Sequence, residues 1–143
     1  MFPRPSTQAM QSLKTYIVED SQVIRDSLIA TLEELVPVAV VGTADTEMSA
    51  VQWLSNLDNQ VDLLIVDIFL KTGSGLGVLR AAQKLKGHRT VVVLSNYATT
   101  DIRRKCLELG ADRVFDKSNE IDALISYCDD LARGDLAGAA LAP

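Results

Sequence analysis

Two kinds of hydrophobic pattern alternate along the chain. Five short apolar runs, several of them rich in β-branched residues, are typical of strands; they lie at residues 15–18, 38–41, 61–66, 90–94 and 113–115. The runs around Ile65 and Val92 are apolar at successive positions, which is typical of parallel strands that helices cover on both faces. The pattern therefore predicts five strands with a buried centre.

A stretch with helical spacing follows each predicted strand. In four of these stretches apolar residues recur every three or four positions, and the last is the most regular. The second, around residues 44–57, is the least regular. The apolar positions of the other four are Ile24, Leu28, Leu32 and Leu35, then Val78, Ala82 and Leu85, then Ile102, Cys106 and Leu109, and finally Ile121, Leu124, Ile125, Cys128 and Leu131.

Boundary signals agree with this alternation. Ser21 and Ser118 stand where N-caps of the first and last helices are expected. Gly42, Gly87 and Gly110 fall where a strand or helix should end. Five βα units in a row with right-handed crossovers predict an α/β domain with a doubly wound parallel sheet.

Length and charge narrow the class of protein. A chain of 143 residues fits one domain, and we expect a loose arm at residues 1–12, the domain at 13–132 and a frayed tail at 133–143. The formal net charge of −5 argues against a nucleic-acid surface and against a membrane-surface role. No stretch resembles a secretory leader or a bilayer span, so we expect a cytoplasmic protein, and we expect its two cysteines to be small buried hydrophobes.

Polar residues follow the apolar runs at the end where ligands bind in parallel α/β sheets. Glu19 and Asp20 follow the first run, Asp67 the third, Ser95 the fourth and Lys117 the fifth. Each residue alone is typical of a helix cap, a turn or a solvated surface. Together they place three carboxylates, a hydroxyl and an ammonium at one sheet edge, which favours a functional site.

Each group has a use in phosphoryl transfer. Clustered carboxylates repel one another unless a divalent cation or protons compensate them, and Mg²⁺ prefers such oxygen ligands. Asp67 is placed to be a carboxylate nucleophile that forms an aspartyl phosphate. Lys117 and Ser95 are placed to contact phosphoryl oxygens.

These motifs resemble a known family. The stretches IVED, DLLIVDIFL, VVVLSNYA and GADRVFDKS together resemble the receiver domain of two-component response regulators, over about residues 13–132. The resemblance implies a flavodoxin-like fold with strand order 2-1-3-4-5. It also implies phosphoryl transfer from a histidine kinase or histidine phosphotransfer protein to Asp67. Mg²⁺ would be held by Glu19, Asp20, Asp67 and the backbone carbonyl of Phe69.

The resemblance also implies how phosphorylation would change the contacts with other proteins. Ser95 and Lys117 would sense the phosphoryl group and shift the face formed by residues 96–130, where receivers usually dimerise or meet targets. The family usually has an aromatic residue where this chain has Val114, and Tyr97 is a hypothetical substitute in the switch.

Two further departures lie in the loop after the acceptor. Lys71 replaces the usual proline, and the bulky Phe69 predicts slow loss of the phosphoryl group. The glycines of Gly73-Ser-Gly75-Leu-Gly77 are misplaced for a dinucleotide loop, and Gly75 is expected to open the third helix. His88, which lacks a carboxylate–nucleophile context, is expected to be solvated.

The favoured hypothesis is that the protein is a stand-alone signalling switch that acts on an unidentified target protein. Its only chemistry would be self-catalysed phosphotransfer and dephosphorylation, so we do not expect an enzyme that turns over a metabolite. Two alternatives stay open. One is a receiver-fold binding module that signals without phosphorylation; the other is a phosphorelay intermediate or phosphate sink.

Overall fold

Each strand of the sheet is followed by a helix, as the alternating pattern predicts. The computed structural model describes residues 12–85, 87 and 89–134. The predicted N-terminal arm, apart from Ser12, lies outside these residues, as do His88 and all but the first two residues of the predicted tail. The elements are β1 (Leu13–Val18), α1 (Gln22–Leu35), β2 (Val38–Ala44), α2 (Glu47–Ser55), β3 (Leu63–Asp67), α3 (Gly75–Lys84), β4 (Thr90–Ser95), α4 (Thr100–Glu108), β5 (Arg113–Asp116) and α5 (Ile121–Arg133).

The five strands form one parallel sheet in the order β2-β1-β3-β4-β5. This order confirms the predicted doubly wound, flavodoxin-like α/β fold. The strand order reverses beside β1, and the carboxyl ends of β1 and β3 are neighbours. Residues that follow these two strands are therefore brought side by side.

The core has two layers because successive strand residues face opposite sides of the sheet. On one side the strands pack against buried residues of α2, α3 and α4, and on the other against those of α1 and α5. Val114 belongs to the first layer and Phe115 to the second, as the alternation predicts. Cys106 and Cys128 are free and buried, one in each layer. No helix within the described ranges is long and apolar enough to cross a bilayer.

The two predicted serine caps have different outcomes. Ser21 caps α1 as predicted, because its side chain accepts a hydrogen bond from the Ile24 amide. The prediction for Ser118 was wrong: Glu120 precedes α5, and no side-chain hydrogen bond caps that helix. Ser118 instead donates its amide and its hydroxyl to Asp116 Oδ1, which forms a turn between β5 and α5.

The predicted glycine boundaries are confirmed at two of three positions. Gly87 and Gly110 follow α3 and α4 with positive φ, a conformation that favours glycine. The prediction for Gly42 was wrong, since this residue lies inside β2. Its lack of a side chain makes room for the rings of Tyr16 and Trp53, which stack with centroids 4.0 Å apart. A Cβ at Gly42 would lie 2.9 Å from Tyr16 Cε1 and 3.3 Å from Trp53 Nε1.

We expect Gly42→Ala to destabilise the protein by about 1–3 kcal/mol, because the added methyl group must displace the buried Tyr16 ring and the half-buried Trp53 ring stacked on it. Chemical denaturation monitored by far-UV circular dichroism measures this loss. In an uncrowded strand the same change would be neutral or stabilising, since alanine lowers the entropy of the unfolded chain. Unchanged or increased stability of Gly42→Ala would contradict the proposed reason for this glycine.

Candidate functional site

Lys117 joins two of the predicted carboxylates at the carboxyl edge of the sheet. Its Nζ lies 2.6 Å from Glu19 Oε1 and 3.0 Å from Asp67 Oδ2. All three side chains are less than a tenth exposed. Glu19 follows β1, Asp67 ends β3 and Lys117 follows β5, so the fold brings together charges that are far apart in sequence.

The remaining carboxylate oxygens accept backbone hydrogen bonds. The amide of Ser21 donates to Glu19 Oε2 at 3.0 Å, and that of Phe69 donates to Asp67 Oδ1 at 3.2 Å. Asp20 Oδ2 accepts from the Lys71 amide at 2.6 Å. The loop between β3 and α3 is thus bonded to both acidic strand ends.

The site perturbs the protonation of its own groups. Burial raises the pKa of Asp67 above its ordinary value of 3.8; the nearby Lys117 ammonium opposes this shift, and the charge of Glu19 adds to it. Burial alone would lower the pKa of Lys117, but its hydrogen bond to Glu19 and its interactions with Asp67 outweigh that effect and raise it. Asp67 therefore carries a costly negative charge, and Lys117 remains an ammonium.

The donor set fits a hard divalent cation. Glu19, Asp20 and Asp67 each offer one carboxylate oxygen, and these oxygens lie within 4.8 Å of one another. The cluster carries three negative charges, and Lys117 is paired with only two of its members. Mg²⁺ prefers such oxygen ligands and would neutralise the excess charge. Phe69, whose carbonyl is the fourth expected ligand, lies in the loop that the site holds.

Of the predicted switch residues, Ser95 and Tyr97 lie at the same edge, whereas Val114 lies within β5. Ser95 is fully buried, and its Oγ accepts a hydrogen bond from the Tyr97 amide at 3.0 Å. The Tyr97 side chain is exposed, and its ring meets that of Phe69 edge to face with centroids 5.3 Å apart. Val114 is buried in the layer formed with α2, α3 and α4. The roles of these residues in a switch stay predictions.

Sequence reasoning missed a cluster of hydrogen bonds around Arg103, on the face formed by residues 96–130. The guanidinium of Arg103 donates to the carbonyls of Ala98 and Val114 and to Glu120 Oε1, each at 2.9 Å. Glu120 Oε1 also accepts from the Asp116 amide at 2.8 Å. These bonds join α4, β5 and the start of α5. No local motif marks them, because they depend on how distant elements pack.

Sequence reasoning also missed a second carboxylate on the loop between β3 and α3. Glu47, at the start of α2, accepts a hydrogen bond from the Ser74 amide at 2.9 Å. The one sequence signal for this contact is the pair of glycines at 73 and 77, which leave room for the Glu47 side chain.

Comparison with known proteins gives the family. The family model for the response regulator receiver domain matches residues 15–129, which is most of the chain. The chain therefore belongs to the response regulator receiver domain family of two-component signalling. The structure has the fold of that family, and Mg²⁺ and phosphorylation are typical of it.

Curated relatives are larger proteins. A probable transcriptional regulatory protein of Picosynechococcus sp. strain PCC 7002 is 33% identical over 122 residues, which cover 82% of this chain and 48% of the relative. The transcriptional regulatory protein YdfI of Bacillus subtilis is 24% identical, with 86% of this chain and 56% of the relative covered. This chain thus spans about half the length of the curated relatives it matches.

Solved receiver structures share the fold. The receiver domain of the regulator NarL from Mycobacterium tuberculosis matches with a TM-score of 0.76 at 20% identity, covering 87% of this chain and 98% of that one. A response regulator from Burkholderia pseudomallei, solved with a phosphorylated aspartic acid, a calcium ion and citrate, matches with a TM-score of 0.72 at 22% identity. The second match covers 92% of this chain and 76% of the other.

We expect Asp67→Asn to stabilise the metal-free protein at neutral pH by about 1 kcal/mol, which corresponds to roughly 2–4 °C in melting temperature. The amide removes a charge that burial and Glu19 disfavour, while Lys117 keeps Glu19 as a partner. Because the folded-state pKa of Asp67 is raised, its charge lowers stability as pH rises from about 3.8 through that value. The gain from asparagine should therefore shrink as pH falls toward 4.

Thermal melts in a chelator at several pH values measure this difference, with the exposed Asp58→Asn as the matched control. A melting temperature of Asp67→Asn below that of the wild type at neutral pH would show that the Lys117 ion pair outweighs the cost of burial.

Proposed function

We propose that the chain is a phosphorylation-dependent signalling switch that accepts a phosphoryl group on Asp67. The observation that carries this proposal is the position of the Lys117 ammonium, which bridges the buried Glu19 and Asp67 in an acidic cluster that also includes the half-buried Asp20. A structural ion pair would need one carboxylate, whereas this site collects three beside one cation. The family and the phosphorylated aspartic acid of the Burkholderia pseudomallei relative support the same reading.

The proposed reaction is a direct displacement at phosphorus. A carboxylate oxygen of Asp67 forms the new O–P bond while the P–N bond of a phosphohistidine donor, or the P–O bond of acetyl phosphate, breaks and its electron pair leaves with the donor. Lys117 would contribute positive charge beside the acceptor carboxylate. Ser95 is the proposed hydrogen-bond donor to another phosphoryl oxygen, and its Oγ can donate while it accepts from the Tyr97 amide.

Mg²⁺ is the proposed cofactor. Glu19, Asp20, Asp67 and the Phe69 carbonyl would hold it, and it would supply charge neutralisation to the transferring phosphoryl group. Two backbone hydrogen bonds support this proposal, because the Phe69 amide is bonded to Asp67 and the Lys71 amide to Asp20. The ligand side chains are thereby oriented before a cation arrives.

The proposed partners follow from the chemistry. A histidine kinase or histidine phosphotransfer protein would be the donor, and the output would be a protein–protein contact, with a target or a second copy, through the face of residues 96–130. On that face Arg103 connects α4 to β5 and to Glu120, close in sequence to Lys117.

A second candidate is a receiver-fold binding module whose partner affinity does not respond to phosphorylation. The observation that favours it is Val114, a small buried residue at the expected place of the switch aromatic. Phe115 does not replace that aromatic, because it faces the layer of α1 and α5. Phosphorylation that leaves partner affinity unchanged would favour this candidate.

We expect incubation with Mg²⁺ and acetyl phosphate to add one phosphoryl group, measured by intact mass. Asp67→Asn should take up none, and wild type in a chelator should be labelled far more slowly. Lys117→Ala should also be labelled poorly, because the ammonium beside the acceptor is lost. Asp58→Asn, at an exposed position, serves as the control that should label like wild type. Absence of label from both acetyl phosphate and a phosphorylated kinase would overturn the proposed acceptor chemistry.

We expect Phe69→Asn to lose its phosphoryl group several times faster than wild type. The Phe69 ring packs edge to face on Tyr97 beside the acceptor, so a small polar side chain should admit attacking water. The substitution keeps the backbone amide and carbonyl that serve the site. Decay of the labelled mass after removal of donor measures the rate, and Leu57→Asn, at an exposed apolar position, is the control. Equal decay rates of Phe69→Asn and wild type would rule out a screening role for the ring.

A further inference from the structure

The glycine-rich segment that follows β3 surrounds a carboxylate of the protein itself. Glu47 Oε1 accepts a hydrogen bond from the Ser74 amide at 2.9 Å, and the Glu47 amide donates to the Thr72 carbonyl at 3.3 Å. A Cβ at Gly77 would overlap Glu47 Oε2 and lie 2.7 Å from Glu47 Oε1. A Cβ at Gly73 would lie 2.5 Å from the Glu47 Cβ. The two glycines thus form a cradle that a side chain from α2 fills.

The same segment ends at the first turn of α3. Ser74 is the N-cap of that helix, and its side chain accepts from the Leu76 amide at 3.1 Å. The carboxylate of Glu47 therefore lies against the positive end of α3 and accepts one of its unpaired amides. This contact ties the start of α2 to the start of α3.

The segment begins at the acidic site. The Phe69 amide is bonded to Asp67 and the Lys71 amide to Asp20, whereas the Ser74 amide is bonded to Glu47. Three amides of one short loop are thus held by carboxylates, and only the last of these carboxylates lies outside the proposed cation site. A loop fixed at both ends has fewer conformations in which its middle residues can leave the site.

We propose that Glu47 is a positioning residue for the phosphoryl-accepting site. It fixes the loop of residues 69–74 from the side of α2 and so keeps the Phe69 and Lys71 backbone groups beside Asp67 and Asp20. This proposal rests on the proposed function for its consequence in Mg²⁺ binding, but the loop contact can be tested without any cation or phosphodonor.

The first test is amide hydrogen exchange by NMR on the metal-free protein. In Glu47→Ala we expect faster exchange not only at Ser74, which loses its acceptor, but also at Phe69 and Lys71, by about tenfold. Glu47→Gln keeps a side-chain oxygen for the Ser74 amide and should restore most of the protection. Faster exchange at Ser74 alone would overturn the proposal, because it would show that the Glu47–Ser74 hydrogen bond does not affect the backbone at the acidic site.

Mg²⁺ titration by calorimetry is the second measurement. We expect about tenfold weaker binding in Glu47→Ala, the size typical when the support of a metal ligand is removed, and near wild-type binding in Glu47→Gln. Asp101→Ala, an exposed carboxylate in the first turn of α4, is the matched control and should bind Mg²⁺ like wild type. A lower melting temperature of Glu47→Ala with unchanged Mg²⁺ affinity would assign Glu47 a merely structural role and overturn the proposal.

Gly77→Ala provides an independent test of the cradle. In the wild-type background the new methyl group must expel the Glu47 carboxylate, so exchange at Phe69 and Lys71 should rise as in Glu47→Ala. In the Glu47→Ala background the same change should add no further effect on exchange, and it should raise the melting temperature, because alanine is the better helix former. Additive effects of the two changes would contradict the proposal.

The design separates two kinds of failure. If the wild type binds no Mg²⁺ and takes up no label, the proposed function fails, and the exchange data alone decide whether Glu47 positions the loop. If the wild type binds Mg²⁺ and takes up label but Glu47→Ala changes neither binding nor exchange at Phe69 and Lys71, only the role of Glu47 fails.

Discussion

The repulsion among three carboxylates at one sheet edge is the constraint on which the site depends. Lys117 is the cation that offsets it, and its ammonium must reach from the end of β5 past β4 to β1 and β3. A backbone hydrogen bond holds Lys117 in position for this contact: its amide donates to the Ser95 carbonyl of β4 at 2.9 Å. Because one ammonium leaves part of the charge uncompensated, the site keeps an affinity for further positive charge.

The loop between β3 and α3 offsets the same repulsion among carboxylates with its backbone amides. Its amides donate to carboxylates from three separate parts of the chain, and each such bond lowers the cost of a buried or half-buried negative charge. Gly75 closes the loop, because its amide donates to the Ile68 carbonyl at 2.9 Å and a Cβ there would overlap the backbone at Asp67. The hydrogen bonds to these carboxylates therefore fix the conformation of the loop, and the glycines leave the space that this conformation needs.

The fold and the site differ in how far local sequence determines them. Strand runs and helical stripes predicted all ten elements and, through the rule for parallel strand ends, the meeting of the acidic residues with Lys117. Local patterns failed where a distant partner decides the conformation. Gly42 lies within β2, where an aromatic stack fills the space of a side chain, and Ser118 turns toward Asp116 instead of capping α5. The hydrogen bonds of Glu47 also depend on a distant partner, and only the glycines at 73 and 77 point to them in the sequence.

The position of Phe115 limits how the proposed switch can be transmitted. An aromatic side chain at Val114 would lie in the layer of α4, but Phe115 faces α1 and α5. Besides apolar packing, the guanidinium of Arg103 links β5 to α4, because it donates to both the Val114 carbonyl and the Glu120 carboxylate. In the proposed switch, a shift of Lys117 toward a phosphoryl group would pull on the backbone of β5, and Arg103 would carry that pull to α4. This hydrogen bond uses the Val114 carbonyl, so it does not depend on the identity of the side chain at 114.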